Sequence, residues 1–137
     1  MILGIGVDSI EISRVVKAME KEHFVHRIFT EKERAEMEHA KRRAASDFAG
    51  KEAVVKAFGT GFAGIDACEV EILRRESGAP YVTLYGAAKK KSRRNGNYRL
   101  EDFYHKYKGS CDGICDCCGR RCKRIERRDF YERDVFR

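Results

Sequence analysis

Proline is nearly absent: the chain has one, Pro80, in 137 residues, and 42% of its residues are hydrophobic. That combination excludes a proline-rich disordered polymer and fits a globular protein able to bury a core, most simply as one domain. Long apolar runs are missing too. None approaches the roughly 20 residues that cross a bilayer, so no membrane partner is expected. No signal-peptide pattern opens the chain, because Met1 leads straight into a short strand pattern containing Asp8. A cytoplasmic location is the resulting expectation, and it disfavours disulfides. There is no internal repeat, and no convincing amphipathic period is found between Ser92 and Arg137.

What is present is divided unevenly. The net charge is +7. Residues 1–88 carry 13 Lys/Arg against 14 Asp/Glu, whereas residues 89–137 carry 16 against 8, so the positive excess lies entirely in the last third. Cysteine follows the same division. Cys68 stands alone, while Cys111, Cys115, Cys117, Cys118 and Cys122 crowd into one short segment.

In order along the chain, Ile2 to Val7 has the pattern of a strand that Asp8 ends. Asp8 or Ser9 is placed to cap a helix bearing Ile12, Val15, Val16 and Met19 on one face. Phe24, Val25 and Ile28 predict a second short helix. Thr30 and Glu33 have capping-box spacing, ahead of a polar helix anchored by Met37. A long central helix is predicted over Lys41–Phe58. Cys68, Val70 and Ile72 alternate with Glu69 and Glu71 as a half-buried strand. The turn around Gly78 and Pro80 returns it through Tyr81–Tyr85 as a hairpin. A further helix starts at Gly86.

The central helix has a fault in its pattern. Ala45, Phe48, Ala49 and Val55 form an apolar stripe on which Glu52 and Lys56 also fall, and Val54 and Phe58 add a second apolar edge. A carboxylate in such a stripe costs on the order of several kcal/mol unless it is paired. Lys56 at i+4 is one partner and a metal ion is another. The helix runs into Gly59-Thr60-Gly61, whose backbone N–H groups can approach an anion closely. Asp8 is a second carboxylate from a separate element, and Mg²⁺ commonly takes one or two protein carboxylates plus substrate phosphate. A buried Glu–Lys pair with a glycine stop, and a simple helix cap at Asp8, are the plainer alternatives.

Two segments bear on that choice: Gly6-Val7-Asp8-Ser9-Ile10-Glu11-Ile12-Ser13-Arg14, and Phe48-Ala49-Gly50-Lys51-Glu52-Ala53-Val54-Val55-Lys56-Ala57-Phe58-Gly59-Thr60-Gly61. Together with the Gly78-Ala79-Pro80-Tyr81 turn, they closely resemble the holo-[acyl-carrier-protein] synthase family of 4′-phosphopantetheinyl transferases, over roughly residues 1–91. The resemblance implies an α+β fold, a small antiparallel sheet packed with the long central helix. It implies transfer of phosphopantetheine from coenzyme A to a serine of acyl carrier protein, releasing adenosine 3′,5′-bisphosphate. By resemblance, Asp8 and Glu52 hold Mg²⁺, Lys56 stabilises phosphate charge, and Gly59, Thr60 and Gly61 lie along the coenzyme A phosphates. Glu52 or a metal-bound water helps remove the serine proton, and Arg14 meets the acidic helix of the carrier protein. Lys17 is close to Arg14, but a solvated helix face is the plainer reading for it. The family is trimeric, with active sites between subunits. Ala79 and Asp47 depart from basic residues in the family, and either change is expected to weaken substrate contacts.

Residues 92–137 depart from the family altogether, so residues 1–91 are read as the transferase domain and the remainder as a basic, Cys-rich tail that is not an independent domain. The alternative is a zinc-binding or nucleic-acid-binding module built on the cysteines and the surrounding arginines. Against it, Cys111–Cys122 is tight even for a zinc knuckle and two separated Cys-x-x-Cys pairs are absent, so a nucleic-acid partner is not expected. The genetic code supplies a different account. Permitted codons for Lys91–Gly119, read one nucleotide later, spell KAEEMGITDWKISITNTKDLAMAYAIAVE. That is a helix end, a strand and an Ala-rich apolar segment, the order the family requires, with Asn where the family usually has His. Cys111, Cys115 and Cys117 then become alanine codons read out of phase. A shifted tail is expected to pack poorly, to leave a sheet edge without its strand, and to impair both trimer and activity.

Overall fold

Thr30 and Glu33 form the capping box that their spacing predicts, with the Thr30 hydroxyl accepting from the Glu33 N–H and the Glu33 carboxylate accepting from the Thr30 N–H. It opens α3 (Glu31–Met37), whose Met37 is buried as expected. The computed structural model describes the backbone of residues 2–38, 40–94, 99–107 and 110–118, and side chains within 3–38 and 40–94. The fold is α+β. Its order is β1 (Ile2–Glu11), α1 (Ile12–Ala18), α2 (Glu22–Ile28), α3, α4 (Lys41–Ala57), β2 (Val70–Arg74), β3 (Pro80–Leu84), α5 (Gly86–Arg94), β4 (Arg99–Tyr107) and β5 (Ser110–Cys118). A single 3-10 turn, Ala67–Glu69, precedes β2.

Two antiparallel sheets result, one in the order β1-β5-β4 and one pairing β2 with β3. β1 and β5 lie against α4. The contact is close because Gly4 and Gly6 lack side chains: a Cβ at Gly6 would lie 1.8 Å from the Ala53 carbonyl oxygen, and one at Gly4 2.4 Å from that of Ala57. Alternation along β1 then turns Leu3, Ile5 and Val7 to the other side, where all three are exposed. Two apolar clusters flank α4. One gathers Ala53, Val54, Val55 and Phe58 with Ile65 and Val70, and the other gathers Ala44 and Ala45 with Val15, Phe29 and Met37. No helix among the described residues is long and apolar enough to cross a membrane.

Several expectations need correction. β1 does not end at Asp8 but runs to Glu11, because β5 pairs with it throughout and holds Asp8 opposite Gly113. Neither Asp8 nor Ser9 caps α1; Glu11 stands at that position, its carboxylate accepting from the Ser13 hydroxyl and from no helix N–H. β2 is not half-buried: Val70, Glu71, Ile72 and Leu73 are all buried. Glu71 tolerates this by accepting from the Thr30 hydroxyl at 2.9 Å and the Tyr85 hydroxyl at 2.8 Å, with the Lys32 ammonium at 3.8 Å. The expected missing strand is also corrected, since residues 99–107 and 110–118 form β4 and β5. Antiparallel pairing uses main-chain groups that any sequence carries, so it needs no side-chain period. The side chains of Cys111, Cys115, Cys117 and Cys118, and residues 119–137 with Cys122, lie outside the described residues, and with them the zinc and poor-packing expectations.

Candidate active site

α4 presents different chemistry on its two sides. Toward the end of β1 it carries Glu52 and, one turn on, Lys56. The Lys56 ammonium donates to Asp8 Oδ1 at 2.7 Å and to the Val7 carbonyl at 3.3 Å. Asp8, not Glu52, is therefore the bonded partner of Lys56. The Asp8 side chain is 16% exposed and that of Lys56 48%. Glu52 is half-buried, and its carboxyl is pushed above the usual range by burial and then by the Asp8 charge, with Lys56 pulling the other way. Asp8 in turn raises the Lys56 ammonium, chiefly through their hydrogen bond. Two carboxylates thus share one ammonium, which leaves a local excess of negative charge at a partly open position. That suits a divalent cation, and two protein carboxylates are an ordinary complement for Mg²⁺. Among the described residues no group of three His, Cys, Asp or Glu could hold a metal ion, so a hard-cation site would rest on Asp8 and Glu52.

The glycine turn behaves differently from its sequence reading. The Gly59 N–H donates to the Lys56 carbonyl, and the Thr60 and Gly61 N–H groups both donate to that of Val55. These amides close the C-terminus of α4 and do not point at a ligand. Gly59 and Gly61 sit at φ 75° and 56° with open space where a Cβ would be, so the turn offers room for close approach. Beyond it lies a cavity of about 220 Å³ whose lining includes Thr60, Ala87, Lys90, Lys91 and Arg94. Sequence reading missed those three cations. Their signal was available, because Lys90 and Arg94 stand four apart on one face of α5.

α5 is itself held in place. Glu69 accepts from the N–H groups of Ala87 at 2.9 Å and Ala88 at 3.4 Å, at the start of the helix. Arg14 lies exposed on α1, after the end of β1. Asp47, expected to bear on substrate contact, is 1% exposed and bonded to Arg74 Nη2, so it faces the interior. Lys51, beside Glu52, is fully buried and was also missed.

A family model described as the 4′-phosphopantetheinyl transferase superfamily matches residues 4–107. A holo-[acyl-carrier-protein] synthase of Lachnoclostridium phytofermentans is 57% identical over 88 residues, covering 64% of this chain and 72% of that protein. The crystal structure of holo-[acyl-carrier-protein] synthase from Neisseria meningitidis superposes with a TM-score of 0.76 at 26% identity, covering 87% of this chain and 100% of that one. That of a holo-(acyl-carrier-protein) synthase from Bacillus anthracis, in complex with CoA (3′,5′-ADP), gives 0.71 at 26% identity, covering 85% and 96%. The chain belongs to the 4′-phosphopantetheinyl transferase superfamily. Within it, the chain falls among the holo-[acyl-carrier-protein] synthases and is an enzyme of that kind.

Proposed function

We propose that this chain moves the 4′-phosphopantetheine arm of coenzyme A onto a serine of acyl carrier protein in a Mg²⁺-dependent reaction, releasing adenosine 3′,5′-bisphosphate. The observation that carries this reading is the meeting of Asp8, Glu52 and Lys56, which come from two separate elements. Phosphoryl transfer needs positioning and charge neutralisation more than covalent chemistry. Bound Mg²⁺ would supply charge neutralisation on the pyrophosphate, held by Asp8 and Glu52. Lys56 holds the transferred phosphate. Thr60, Lys90 and Lys91 hold the remaining phosphate charge of coenzyme A in the cavity, with Gly59 and Gly61 giving room for its approach. Glu52, its carboxyl held above the usual range by burial and by Asp8, is suited to accept the serine proton, directly or through water. Exposed Arg14 meets the acidic carrier protein. The coenzyme A complex of the Bacillus anthracis relative supports this choice of donor.

We read the chain as part of a homotrimer; the exposed row of Leu3, Ile5 and Val7 supports association with other copies, since a monomer gains nothing from an apolar sheet face in water. Both substrates are water-soluble, which favours the cytoplasm. Residues 1–91 carry the transferase residues. We read the segment beyond as a shifted frame whose backbone, through β4 and β5, still completes the sheet. The test is transfer by Glu52→Gln and Asp8→Asn, which keep shape and remove charge. Each is expected to lower turnover by about 100-fold or more, and turnover at the parent rate in Mg²⁺ would remove that residue from the assignment.

A further inference from the structure

Many of the buried residues of α4 are small. Ala44, Ala45, Ala49, Gly50 and Ala53 are all buried, and where β1 crosses the helix Gly6 and Gly4 give it an equally smooth surface against Ala53 and Ala57. Small residues interdigitate weakly, so these contacts alone leave α4 little to resist a slide or a roll. Val54, Val55 and Phe58 anchor its end through apolar contact, which has no direction. Yet the pairing of Asp8 on β1 with Glu52 and Lys56 on α4 requires the helix to be held in both rotation and shift.

Lys51 supplies that direction. Its ammonium is fully buried and donates to Glu33 Oε2 at 2.9 Å, the Ala67 carbonyl at 2.9 Å and the Val70 carbonyl at 2.5 Å. Those bonds match its three donors. The ammonium also lies 5.8 Å from the centre of the Phe29 ring. Glu33, also fully buried, is fixed in turn: Oε2 accepts from the Thr30 N–H at 2.8 Å and Oε1 from the Ile72 N–H at 2.8 Å. The start of α3, the 3-10 turn and β2 therefore all bond, directly or through Glu33, to one point on α4. Glu52 is the next residue along, 100° further round the helix.

We propose that Lys51 and Glu33 are positioning residues for the reaction: their buried ion pair fixes the rotation and shift of α4 that set Glu52 and Lys56 against Asp8. The inference rests on the metal pair proposed above.

The test is Mn²⁺ binding to the full chain, followed by electron paramagnetic resonance without either substrate, beside kcat and KM for coenzyme A and thermal melting. Glu33→Gln combined with Lys51→Met removes both charges, so neither is left unpaired. The double variant is expected to fold, to bind Mn²⁺ about 10–100-fold more weakly, and to lose kcat with KM for coenzyme A little changed. A folded double variant with parental Mn²⁺ affinity overturns the proposal. Should it fail to fold, Glu33→Asp decides: it keeps the charge but draws the carboxylate back by one methylene. Weaker Mn²⁺ binding by Glu33→Asp supports the proposal, and unchanged binding overturns it. Glu52→Gln separates the two readings. If it leaves Mn²⁺ affinity intact, the metal pair itself is wrong, whatever Lys51 does.

Discussion

Asp47 lies one turn before Lys51 on α4, buried and bonded to Arg74 Nη2 at 2.5 Å. Burial outweighs the pull of the Arg74 guanidinium and pushes the Asp47 carboxyl up to about 6 from a reference of 3.8. The native chain therefore binds this proton more tightly than the unfolded chain does. Its contribution to stability is complete below about pH 4 and is lost as pH rises through 6. A shift of this size corresponds to about 3 kcal/mol. Asp47→Asn should remove that dependence. Urea midpoints from pH 4 to 7 check it, with the parent falling relative to the variant by about that amount. Parallel curves would assign the pH dependence elsewhere. Asp47 and Lys51 were not legible in the sequence for one reason. Each is a charge whose partner stands far along the chain, 27 residues away for Arg74 and 18 for Glu33, and helical periodicity reports only which face is apolar. Glu52 and Lys56 were legible because they break the apolar stripe next to a glycine turn.

At the scale of elements, what the sequence showed was local. The Thr30 capping box, the central helix and the β2–β3 hairpin each depend on residues within one element or one turn. What it hid was pairing between distant strands. β1 continues past Asp8 only because β5 lies beside it, and β4 and β5 form where no side-chain period predicted them. β1 packs closely on α4, and that contact depends on Gly6. Gly6→Ala places a methyl group 1.8 Å from the Ala53 carbonyl oxygen and 2.6 Å from the Ala57 nitrogen. Both are backbone atoms and neither can turn aside, so β1 must lift. The expected cost is about 1–3 kcal/mol, read as a lower thermal midpoint. Transfer should fall as well, since Asp8 rides on β1. A variant as stable as the parent would show that β1 and α4 are not in this contact.

At the scale of the molecule, two features underlie the proposals of a homotrimer and of a shifted reading frame. Leu3, Ile5 and Val7 remain exposed on the single chain, and the match to the family model ends at residue 107, short of the last 30 residues. The gene sequence across codons 86–137 tests the second point: its codons should give the Ala-rich apolar segment in the next frame, and any other codons end that reading. With the frame restored, the protein should sediment as a trimer, while the chain as written should be less soluble and less completely assembled. A well-ordered, fully active trimer from the chain as written would contradict the view that the shift impairs it.

The most direct measurement is the intact mass of purified apo-acyl carrier protein after incubation with coenzyme A, Mg²⁺ and the enzyme, with adenosine 3′,5′-bisphosphate quantified in the same sample. The account predicts that the carrier gains one phosphopantetheine group for each bisphosphate released. It also predicts that the frame-restored chain does this faster than the chain as written, and that Glu52→Gln in either background stops it. A carrier protein whose mass is unchanged by the frame-restored enzyme, at any Mg²⁺ concentration, would contradict the account.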